Sequence, residues 1–89
     1  MSAAAASSLA SMANIGEALE AKLKAVGINT AEELRKAGSK NAFLSLKLRY
    51  PNVCLVHLQA LEGAVLGIPH NQLPEETKLD LKDFSDGLK

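Results

Sequence analysis

The chain contains no tryptophan, one tyrosine and two phenylalanines. So few rings exclude the aromatic platforms on which single-stranded nucleic acid stacks. A single cysteine, Cys54, excludes an internal disulfide and points to a reducing compartment. No apolar run is long enough to cross a bilayer: the longest, Val53 to Ile68, is interrupted by His57, Gln59 and Glu62. Met1 to Ala13 is rich in Ala and Ser and holds no Lys or Arg. It therefore lacks the charged start of a secretory signal and the arginines of an organellar transit peptide. Residues 1–13 are expected to form a flexible leader, with a weak helix around Leu9, and the chain is expected in the cytoplasm without membrane contact. No stretch alternates apolar and polar residues with period two, so no strand is expected. No repeat of solenoid length is present. There is no phosphate-binding Walker loop, dinucleotide glycine fingerprint or nucleophile elbow. Neither an enzyme, a cofactor nor a small-molecule substrate is expected.

What the chain does hold is apolar and unevenly charged. Of its 89 residues 47% are hydrophobic, but 14 of those are alanine. That suffices for one domain with one small core, for which self-association is a natural supplement. Net charge is zero. Residues 1–50 carry seven Lys/Arg and four Glu, a balance of +3, whereas residues 51–89 carry three Lys and six Asp/Glu, a balance of −3. No acid lies between Glu33 and Glu62, while Arg35, Lys36, Lys40, Lys47 and Arg49 all do. Such a stretch suits a basic binding face. The alternative is ordinary solvated helix surface.

Hydrophobic spacing predicts an all-α fold: a compact bundle of about five short helices over residues 14–88, built around a buried central helix. The central helix is Val53 to Ile68, where apolar side chains fall at every azimuth, with Leu58, Leu61 and Val65 in one stripe. Asn52 is the expected N-cap, Gly67 the end, and Gly63 a point of close approach by another helix. A helix over 17–26 carries the stripe Ile15, Leu19, Leu23 and Val26. Gly27 fits its left-handed C-terminal position, with Ile28 packing after it. Thr30-Ala31-Glu32-Glu33 is a capping box opening a short helix that Gly38 closes. Ser39 is the expected cap of the next helix, with Phe43, Leu46 and Tyr50 on its buried face, Leu44 and Leu48 beside them, and Lys40 and Lys47 snorkelling at the border. Pro74-Glu75-Glu76 starts a last helix with a thin apolar edge of Leu79, Leu81 and Phe84.

Certain residues resemble a known family. Asn14-Ile15-Gly16, Val26-Gly27-Ile28, Thr30-Ala31-Glu32-Glu33-Leu34 and Gly38 are similar to a helix-hairpin-helix segment. With Pro51-Asn52-Val53, Ala60-Leu61-Glu62-Gly63-Ala64, Gly67-Ile68 and Leu73-Pro74-Glu75-Glu76, the pattern resembles the C-terminal domain of TfoX, the bacterial competence regulator, over roughly residues 12–83. The resemblance implies a helix-hairpin-helix-like helical fold and a non-catalytic regulatory role around DNA uptake. Members usually carry a separate N-terminal α/β domain. The partners to consider are therefore a DNA backbone, a detached TfoX N-terminal-like domain, and a second copy of this chain.

Two residue sets are candidate nucleic-acid contacts. In helix-hairpin-helix modules, backbone amides at a glycine turn bind phosphate, a role that would fall here to Asn14 and Gly16. Glu17 and Glu20 in the first turn oppose it. Arg35, Lys36, Lys40, Lys47 and Arg49 would contact phosphates without reading sequence, in a salt-sensitive way. Cys54 and His57 share a helical face, but a structural zinc needs four ligands and only His70 is left to add. No metal site is expected, and Cys54 is read as a buried thiol.

Overall fold

The computed structural model describes residues 9–88, and within them the chain is all helical with no strand. Five α-helices are present: α1 (Glu17–Ala25), α2 (Ala31–Ala37), α3 (Ser39–Arg49), α4 (Leu55–Leu66) and α5 (Glu75–Asp86). Short 3-10 turns stand at Leu9–Ser11 and His70–Gln72. The radius of gyration is 12.5 Å, close to the roughly 12 Å of a compact chain this long.

The corner between α1 and α2 follows from local chemistry. Gly27 adopts φ 90°, and the Ile28 and Gly27 amides donate to Leu23 O at 2.9 Å and Lys24 O at 3.0 Å. These paired bonds satisfy carbonyls that the helix end leaves open. Thr30 Oγ1 then accepts from the Glu33 amide at 3.1 Å and caps α2. The return bond of the expected box lands one residue early: Glu33 Oε1 accepts from the Asn29 amide at 2.7 Å.

Helices α3 and α5 pack directly on α4, and α1 and α2 reach the core mainly across α3. Leu58 and Leu61 of α4 are fully buried, against Leu23, Leu34, Phe43, Leu46 and Leu81 from the other four helices. Val65 is partly buried against the same cluster. Each fully buried Leu or Phe contributes about 1.5–3 kcal/mol.

Several expectations need correction. Leu9 is fully buried and Met12 nearly so, so residues 9–13 belong to the packed domain; the rest of the expected leader, 1–8, lies outside the described residues. Cys54, not Asn52, occupies the N-cap of α4, and its backbone N–H donates to His57 Nδ1 at 3.1 Å. The Cys54 thiol is exposed rather than buried. Ser39 does not cap α3, because Gly38 stands at that position and the buried Ser39 hydroxyl donates to Glu62 Oε1 on α4 at 2.6 Å. The α4 helix is not wrapped on all sides: Val56 and Leu66 are 58% and 51% exposed. Leu48 is 89% exposed and Leu79 is 55% exposed, so neither joins the apolar edge expected of its helix.

Gly63 is a point of close approach, but the Asn14 side chain and the backbone just after α4 make it, not another helix. A Cβ there would collide with Asn14 Nδ2 and lie 2.6 Å from the Ile68 carbonyl oxygen.

Candidate interaction surface

Asn14 holds φ 70°, a left-handed conformation that Asn tolerates better than most residues. It does not cap α1, whose N-cap is Gly16 with no side-chain bond. Its carboxamide crosses to the far end of α4 instead. Nδ2 donates to Ile68 O at 3.0 Å and, at 3.4 Å, to Ala60 O, while Oδ1 accepts from the His70 amide at 3.0 Å. The glycine at position 63 leaves the notch into which this group fits. Asn14 is therefore a latch between the N-terminal turn and the end of the central helix. Gly16 is exposed at the start of α1, with Glu17 and Glu20 in the first turn.

The five candidate basic residues do not form one set. Lys47 Nζ donates to Pro51 O at 3.0 Å and Val53 O at 2.8 Å, which ties down the loop between α3 and α4. Lys40 pairs with Asp80 of α5 at 2.6 Å and lies 5.3 Å from the Phe84 ring centroid. Both lysines are engaged within the fold. Arg49 sits 5.8 Å from the Tyr50 ring centroid and donates from Nε to the Tyr50 hydroxyl at 3.4 Å. Lys22 of α1, outside the acid-free stretch, brings a second cation to 5.5 Å from that ring. Its signal in the sequence was faint, since nothing local links Lys22 to Tyr50. Arg35 and Lys36 are exposed on the last turn of α2 and face solvent.

Cys54 Sγ stands 3.6 Å from His57 Nδ1. Among the described residues, no group of three His, Cys, Asp or Glu side chains is placed to hold a metal ion. No helix among them is long and apolar enough to cross a membrane.

The exposed apolar side chains are the larger departure from a sealed bundle. Leu44 and Leu48 lie one turn apart on the outer face of α3, and Val56, Leu66, Leu79 and Leu88 are also open to solvent.

The TfoX C-terminal domain family model matches residues 5–85. The chain belongs to the TfoX C-terminal domain family. Protein Sxy of Escherichia coli (strain K12) is 35% identical over 80 residues, which cover 90% of this chain and 38% of that protein. The chain thus spans less than two-fifths of that curated relative. Two crystal structures from Listeria monocytogenes share the fold. One, an uncharacterized protein in a triclinic form, superposes with a TM-score of 0.91 at 44% identity, covering 92% of this chain and 93% of that one. The other, a protein of unknown function in a tetragonal form, gives 0.89 at 44% identity, covering 91% and 99%. In this TfoX C-terminal domain, Ala60–Ala64 lies within α4, where Gly63 receives Asn14.

Proposed function

We propose that the chain is a non-catalytic regulatory module of DNA uptake that works in the cytoplasm by contacting another protein surface. Family membership supports the competence role. The observation that carries the contact mode is the row Leu44–Leu48 on α3, with Leu48 89% exposed. Neighbouring leucines left in water on one helix face of a small bundle mark a surface for a partner. The partner classes are a second copy of the chain and a TfoX N-terminal-like domain.

A second mode, contact with a DNA backbone, is favoured by Arg35 and Lys36 facing solvent and by the two cations gathered on Tyr50. The hairpin version of that mode is opposed by Glu17 and Glu20, which stand in the first turn of α1 beside Gly16.

The test is transformation frequency in the natural host. Removing the gene lowers uptake of DNA, and supplying the chain in trans restores it. Uptake unchanged by the deletion would remove the competence role. Fluorescence anisotropy with duplex DNA at low salt separates the two modes: no binding at high micromolar protein leaves the protein surface, and salt-sensitive binding lost in Arg35→Ala/Lys36→Ala establishes the backbone contact.

A further inference from the structure

Helices α3 and α5 both pack on α4 and meet across it through the Lys40–Asp80 pair. The two sides of that seam differ in charge. Helix α3 carries Lys40, Lys47 and Arg49 and no acid, and shows Leu44 and Leu48 on its outer face. Helix α5 carries Glu75, Glu76, Asp80, Asp83 and Asp86 against Lys78 and Lys82. Leu79, 55% exposed, lies within one turn of the exposed Glu75, Glu76 and Asp83. Helix α3 is thus net basic and shows two exposed leucines, and helix α5 is net acidic and shows one. Lys40, Asn41 and Asp80 line one cavity at the seam, and in sequence Leu44 follows Lys40 by one turn and Leu79 precedes Asp80.

We infer that the partner on this surface is a second copy of the chain, related by a two-fold axis, with α3 of each copy lying on α5 of the other. This deepens the protein-contact reading and rests on it. A two-fold interface uses the same patch on both copies, so the patch must complement itself. Setting α3 on α3 would place cation against cation, and α5 on α5 acid against acid. The crossed arrangement instead sets the net-basic helix of each copy on the net-acidic helix of the other, with Arg49 towards Glu76 and Asp83 and with Leu44, Leu48 and Leu79 covered. Apolar side chains at the centre with charges around them is the usual make-up of such a contact. The Lys40–Asp80 pair already joins the same two faces within one molecule. Two helices of 11 and 12 residues give a patch at the small end of specific interfaces.

Sedimentation equilibrium of the full chain from about 10 μM to about 1 mM tests this. The mass is expected to rise from 9.4 kDa towards twice that value. Leu48→Glu should remain monomeric throughout. Arg49→Glu and Asp83→Lys should each weaken association at least tenfold, and an equimolar mixture of the two should recover it, because each chain supplies the charge the other lost. Circular dichroism confirms that the variants stay folded, and all three sites are exposed. A wild-type chain that is monomeric at 1 mM overturns the inference. So does a dimer indifferent to Leu48→Glu, or charge variants whose mixture stays monomeric. Those results leave the protein-contact reading open to a different partner, whereas unchanged DNA uptake in the deletion strain is what removes the competence role.

Discussion

Replacing Asn14 with alanine isolates the latch between the N-terminal turn and α4. The variant loses two hydrogen bonds at 3.0 Å, to Ile68 O and from the His70 amide, and a longer one to Ala60 O at 3.4 Å. Each sound bond contributes about 0.5–1.5 kcal/mol net, so the pair contributes about 1–3 kcal/mol. The backbone at φ 70° adds about 1 kcal/mol, because alanine resists the left-handed region. The expected loss is about 2–4 kcal/mol. A domain of 89 residues holds about 4–13 kcal/mol in all. Urea unfolding followed by helical circular dichroism should show the midpoint falling by about 2 M or more, given a slope of about 1 kcal/mol per molar for so small a domain. Asn14→Gly removes the same bonds but accepts the backbone, so it should be about 1 kcal/mol less harmful than Asn14→Ala. If Asn14→Ala unfolds within about 0.5 kcal/mol of wild type, the carboxamide bonds do not hold the turn to α4.

Further outcomes follow from the same geometry. Gly63→Ala should destabilise by about 1–3 kcal/mol, since its Cβ meets the Asn14 amide and the Ile68 carbonyl oxygen. Its cost should shrink in an Asn14→Gly background, which a double-mutant cycle in urea measures. Leu9→Ala should cost about 2–5 kcal/mol, as for any fully buried leucine; a negligible change would return Leu9 to the leader. Thr30→Ala should cost about 1 kcal/mol by removing the α2 cap. Lys40 and Asp80 side chains are 41% and 63% exposed, so their coupling in a double-mutant cycle should stay below about 1 kcal/mol and fall with added salt.

The parts of the fold that were legible are those decided within a few residues. Gly27 with Ile28, and Thr30 with Glu33, announce the α1–α2 corner because their partners lie within one turn. The stripes Leu19–Leu23, Phe43–Leu46 and Leu58–Leu61, all buried but the half-buried Leu19, were legible from helical spacing. Side-chain roles stayed hidden where a distant group claimed the side chain. Ser39 serves Glu62, 23 positions away, and Asn14 serves Ile68 and His70, 54 and 56 positions away. A residue type suited to capping does not reveal such a competitor. The partners of two basic residues were hidden for the same reason: the acid-free run from 34 to 61 does not show that Lys40 finds its acid on α5 and Lys47 finds loop carbonyls. Leu48 and Leu79 looked like border residues because spacing places an azimuth without saying where the neighbouring helix stops.

The account turns on a folded bundle whose exposed α3 leucines do its work. The most direct measurement is DNA uptake in a host whose only copy of the chain carries Leu48→Glu, with soluble expression and helical content checked against wild type. Uptake should fall to the level of the deletion strain while the protein remains folded. Wild-type uptake with a folded Leu48→Glu chain would contradict the assignment of function to this surface.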